Sequence, residues 1–169
     1  MSGMTRTAAR ELSLRLIYEM SFSDLRAPGF LAERLTTEAA ADLQEEDPLY
    51  TRFQEDDPQL EYVRKLVSGV DEHGAELDSY IEKYAVGWKF SRISRLTASI
   101  LRMSMYELMY MPEIPSGAAI NEAVELAKSY ETEEAASFIN GILGSFLRKE
   151  CSAAWKAPEA PRPTEEPNP

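Results

Sequence analysis

One cysteine, Cys151, and one histidine, His73, are all the thiol and imidazole that this chain contains. A lone thiol closes no intrachain disulfide, which suits a reducing compartment. His73 has no partner at metal-ligand spacing and there is no Cys-x-x-Cys pair, so no metal is expected. No apolar run approaches the roughly 18 to 20 residues of a membrane span. The opening Met1-Ser2-Gly3-Met4-Thr5-Arg6 lacks the apolar core of a signal peptide. The chain therefore reads as soluble and cytoplasmic, with no membrane contact. A Gly-rich phosphate loop and a nucleophile–base signature are also missing, so neither an enzyme nor a cofactor is expected. Alternating strand patterns do not occur, and no segment repeats.

What is present suits a single all-α domain. The 169 residues are 44% hydrophobic and 28% charged, enough to bury a core without disulfides or metal. The net charge of -11 argues at first against a nucleic-acid partner, because phosphate contacts need cations. Its distribution weakens that objection. Positions 42–61 concentrate eight acids against the single base Arg52. By contrast, 1–22 carries Arg6, Arg10 and Arg15 against Glu11 and Glu19, and 86–110 carries Lys89, Arg92, Arg95 and Arg102 against Glu107. Two regions are locally basic and leave room for a small RNA site.

Helical periodicity organises most of the chain. From Thr5 to about Phe22, a spacing of ~100° per residue puts Ala9, Leu12, Ser13, Leu16, Ile17 and Met20 on one face. Arg10, Arg15 and Tyr18 fall opposite, with Arg6 at the edge. Pro28-Gly29 reads as a break before a second helix reaching about Ala41, and the acidic 42–58 stretch as a long mobile loop. Leu60, Val63, Leu66, Val67 and Val70 form a stripe continued by Leu77, Tyr80, Ile81 and Tyr84, with a kink or split at His73-Gly74. Positions 87–90 read as a connector. Ser94, Ser116 and Thr132 are expected to cap the last three helices. The helical domain is expected over 1–150, followed by a disordered Pro- and Glu-rich tail over 151–169.

The first helix offers a candidate RNA surface: Arg6, Arg10 and Arg15 could neutralise phosphates while Tyr18 stacks on an unpaired base. The plain alternative is a solvated face with Tyr18 lying over a neighbouring helix. Arg95 and Arg102, seven residues apart, share a face that carboxylates of a partner or of the same fold could meet. Glu122 and Glu125 read as solvated. Within the last helix, Asn140-Gly141 departs from helix propensity by about 1 kcal/mol against Ala, which suggests a close helix–helix approach at Gly141.

The wording Ile120-Asn121-Glu122-Ala123-Val124-Glu125-Leu126-Ala127-Lys128, followed by Phe138-Ile139-Asn140-Gly141-Ile142-Leu143, closely resembles the C-terminal half of the NusB family of bacterial transcription antitermination factors. Arg6 through Tyr18 and Trp88 through Leu108 resemble that family in order and spacing as well. The resemblance implies about seven helices in two packed three-helix sub-bundles. It implies a factor that binds boxA RNA of ribosomal RNA leader transcripts together with the ribosomal protein NusE, and leaves a homodimer open. Carried over, Arg6, Arg10, Arg15, Tyr18 and Phe138 would face RNA, with Phe138 stacking, and Arg95 and Arg102 would lie toward the protein partner. Thr97, Glu131, Ala135 and Gly144 depart from the family's pattern. A helical protein–protein interaction module that does not bind RNA is the competing expectation. A domain of a larger RNA methyltransferase is a third, disfavoured by the Pro-rich tail.

Overall fold

Thr5 starts the first helix by accepting a hydrogen bond from the Ala8 amide, and α1 spans Arg6–Met20. Its core side is the expected one, with Ala9, Leu12, Leu16 and Ile17 almost fully buried, and Leu14 buried as well. The computed structural model describes residues 3–36 and 54–151, and the regular elements among them are all helical. The expected tail therefore lies outside the described residues apart from Cys151, as does most of the 42–58 loop. Cys151 follows the last helix and is buried.

Pro28-Gly29 does not break the chain. Both residues lie in the first turn of α2 (Ala27–Arg34). There a proline loses no hydrogen bond, because the first amides of a helix have no intrahelical acceptor. This helix ends at Arg34 rather than near Ala41. At His73 the long apolar stripe divides into α3 (Gln59–Glu72) and α4 (Gly74–Tyr84). A 3-10 turn at Phe90–Arg92 leads into α5 (Arg95–Tyr110), capped by Ser94 through the Thr97 amide as expected. Pro115, not Ser116, takes the capping position of α6 (Ser116–Tyr130). Its fixed φ and extended ψ already turn the chain into the helix. Thr132 caps α7 (Glu133–Glu150) through the Ala135 amide.

Seven helices result among the described residues. The α1–α3 group and the α4–α7 group meet at α5, which packs against α1, α3, α4, α6 and α7. That central place explains why Ile100, Leu101, Met103 and Met105 are completely buried. The close crossing lies between α3 and α5, not at Gly141. A Cβ on Gly69 would come within 2.1 Å of the Tyr106 ring, whereas one on Gly141 would meet nothing within 4 Å. Gly141 is exposed, so the Asn140-Gly141 departure from helix propensity brings no internal packing.

Candidate nucleic-acid interface

Three groups of functional candidates are positioned by this architecture. The first is the N-terminal half of α1. Asp57 pins the residues before it, with one carboxylate oxygen accepting from the Met4 amide and the other from the Gln59 amide. Arg6 is exposed, donates from Nε to Gln59 at 2.7 Å and lies 4.1 Å above the Tyr62 ring. Arg10 takes a different course. Only 4% of it is exposed, and its Nη2 lies 3.0 Å from Glu107 Oε2, with Nε donating to the same carboxylate. The expectation that Arg10 projects from a polar face is corrected: at ~100° per residue Arg10 lies only about 20° from Ile17, beside the apolar stripe, where α3 and α5 close over it.

The arrangement around Arg10 is a buried network. Tyr62 donates a short hydrogen bond to Glu107, and Glu122 Oε1 approaches Arg10 Nη1 at 3.7 Å. Burial opposes the charge on Arg10, but Glu107 outweighs it and holds the guanidinium above its ordinary pKa. Burial likewise pushes the Glu107 carboxyl above the usual carboxylate range, against the pull of Arg10 and Tyr62. Tyr62, raised first by burial and then by Glu107, stays a neutral donor. Glu107 is the residue that sequence reasoning passed over. The available signal was a lone carboxylate inside the apolar run Met103–Leu108, which cannot be buried unpaired.

The second group lies further along α1. Arg15 is half-buried and donates to the Tyr130 hydroxyl at 3.0 Å, while Tyr130 donates to Glu11. Burial, then the bond to Glu11, pushes the Tyr130 hydroxyl up to about 12. Tyr18 is 36% exposed and packs edge-on against Phe22, ring centres 5.1 Å apart. Arg95 extends across to this end of α1, donating to the Ser21 carbonyl at 2.8 Å with its guanidinium 4.3 Å from the Phe22 ring centre.

Phe138, at the start of α7, belongs to the third group. It is half-buried against Trp88, ring centres 5.2 Å apart, in an open cleft of about 220 Å³ that Arg92, Thr97, Glu131 and Glu134 also line. Trp88, expected in a plain connector, leaves half of its surface to solvent. The Ser94 hydroxyl donates to Glu131 at 3.1 Å, tying the start of α5 to this cleft.

Arg102 does not join these groups. It grips Asp78 of α4 through two hydrogen bonds, 2.6 and 3.2 Å, with its side chain only 19% exposed. Although Arg95 and Arg102 start from one face of α5, their guanidinium groups reach different helices. His73, expected to lack a partner, lies 3.1 Å from Glu76 and stacks near Tyr110. Among the described residues no group of three or more His, Cys, Asp or Glu side chains is placed to hold a metal ion. No helix of the described residues is long and apolar enough to cross a membrane.

Comparison with known proteins fits this geometry. The family model described as NusB family matches residues 7–148. The chain is 40% identical over 151 residues to a transcription antitermination protein NusB of Acetivibrio thermocellus, covering 89% of this chain and 94% of that one. The fold is shared with NusB of T. maritima, with TM-score 0.65, 27% identity and coverage of 88% of this chain and 94% of the other. A chain from the complex of antitermination factors NusB and NusE with double-stranded RNA aligns with TM-score 0.61 at 25% identity, over 90% of this chain and 96% of that one.

Proposed function

Because the chain belongs to the NusB family of transcription antitermination factors, we propose that it binds single-stranded boxA-type RNA of ribosomal RNA leader transcripts together with NusE. Supporting NusE and RNA as partners is the similarity to a factor solved in complex with NusE and double-stranded RNA. The observation that carries it to particular residues is the exposed Tyr18 on the arginine-bearing α1. Arg6 and Arg15 supply positive charge along the same helix, and Phe138 offers a second ring. Arg10 supports the site from inside by holding α1 to α5, and Arg102 supports it by holding α4 to α5. The family role is that of a transcription factor and not of an enzyme.

The test is a titration of boxA RNA, with and without NusE, over a series of salt concentrations. Tyr18→Ala is expected to weaken binding by ~1–3 kcal/mol with an unchanged salt slope, because stacking releases no counterion. Arg6→Ala is expected to make the slope shallower by about 0.7, the loss of one contact to a single strand. If folded Tyr18 and Arg6 variants bind as tightly as the parent, the RNA reading fails. A parent that pairs with NusE yet binds no RNA would identify the interaction module instead.

A further inference from the structure

Arg6 is held in place without being neutralised. Arg10, Arg26, Arg34 and Arg102 each meet a carboxylate, of Glu107, Asp71, Glu19 and Asp78 respectively. Arg6 meets neutral groups instead. Its Nε donates to the Gln59 carboxamide at 2.7 Å, and its guanidinium lies 4.1 Å from the centre of the Tyr62 ring. Both partners belong to α3, which packs along α1. A bond from Nε leaves both Nη ends of the fork, and among the described residues no side chain accepts from them. The contact is exposed, and a hydrogen bond that orders two long side chains at the surface adds little to stability. Its consequence is orientation. Asp57 sets the register: its buried carboxylate accepts from the Met4 amide at 2.8 Å and the Gln59 amide at 2.9 Å, so the entry to α1 and the start of α3 share one anchor.

We propose that Gln59 is a positioning residue for RNA binding, presenting the Nη edge of Arg6 to a backbone phosphate while leaving its charge intact. The inference rests on the RNA-binding reading and adds to it a residue of α3 that acts only through Arg6. The planar fork of a guanidinium matches two phosphate oxygens at once, provided that it is aimed. Gln59 and the Tyr62 ring aim it before RNA arrives, so less side-chain freedom is lost on binding. A carboxylate at position 59 would hold Arg6 as firmly but would cancel the charge that a phosphate contact needs. A neutral acceptor at this position serves both requirements.

Titration of boxA RNA in the presence of NusE, over a series of salt concentrations, tests this on the full chain. Gln59→Met keeps the length and helix propensity but removes the acceptor. It is expected to weaken binding roughly 2- to 10-fold at an unchanged salt slope, the effect of one long side chain left to be ordered on binding. Gln59→Glu is expected to weaken binding and also to make the slope shallower, toward the change of about 0.7 expected for Arg6→Ala. In an Arg6→Ala background, Gln59→Met should have no further effect, because the two residues act as one unit. Thermal melts of the Gln59 variants should match the parent's, since the bond is exposed. A large fall would identify a stabilising latch instead and overturn the proposal. It is also overturned if both Gln59 variants bind like the parent while Arg6→Ala does not, an outcome that leaves RNA binding at α1 intact. Equal losses from Gln59→Met with and without Arg6 would make Gln59 an RNA contact in its own right and remove the positioning role. A parent that fails to bind RNA overturns both readings together.

Discussion

Arg10→Ala is the substitution on which surface and core readings of α1 disagree most. On a solvated face it would remove a charge and leave stability within about 0.5 kcal/mol of the parent. In the structure the guanidinium is 4% exposed and its partner Glu107 is 1% exposed. Truncation strands Glu107 with only the Tyr62 hydroxyl as a donor. Breaking a buried pair from one side costs ~3–5 kcal/mol, because the remaining charge stays desolvated. For a chain of this length each 1 kcal/mol moves the melting temperature by roughly 2–4 °C, so a fall on the order of 10 °C is expected. Chemical denaturation with a constant m-value would measure the same loss. Removing both charges as Arg10→Met with Glu107→Leu, together with Tyr62→Phe, should recover much of it, since no buried charge is then left unpaired. A loss below about 1 kcal/mol for Arg10→Ala, the value of an exposed ion pair, would refute the buried-network argument.

Gly69→Ala should destabilise by about 1–3 kcal/mol despite the higher helix propensity of Ala, because the added Cβ collides with a Tyr106 ring wedged beside His73 and Tyr110; a neutral or stabilising outcome in thermal melts would show that α3 and α5 can separate freely. Leu16→Ala, at a fully buried position, should cost roughly 2–5 kcal/mol in denaturant titrations, and a loss under about 0.5 kcal/mol would mean that the buried side of α1 is misassigned. Burial, aided by Glu150, pushes the Cys151 thiol up to about 11 from 9.0. Alkylation at pH 8 should therefore run at least about a hundredfold slower than in the unfolded chain. Because the folded value is the higher one, this thiol favours folding below pH 9 and its contribution fades as pH rises from there toward 11. Equal labelling rates for folded and unfolded protein would contradict the burial of Cys151.

The sequence alone determined the helical class, the apolar faces and most helix starts, because these are local. A period near 3.6 residues and a side-chain cap such as Ser94 or Thr132 act within one or two turns. The likeness to the NusB family was legible for the same reason, as contiguous wording in Ile120–Lys128 and Phe138–Leu143. At two glycine-bearing pairs the local rules failed. Pro28-Gly29 looked like a break but opens α2, since a proline is tolerated in a first turn. Gly141 looked like a contact and faces open space, while Gly69 makes the contact. Only tertiary structure decided the fate of the arginines. A helical wheel places Arg6, Arg10 and Arg15 around one helix but says nothing of what covers them. Glu107 lies 97 residues from Arg10, and their pairing exists only because α5 crosses α1. Arg102 is likewise claimed by Asp78 across a helix boundary, leaving Arg95 near the rings at the end of α1. Burial of a charge depends on which helices meet, and that information is non-local.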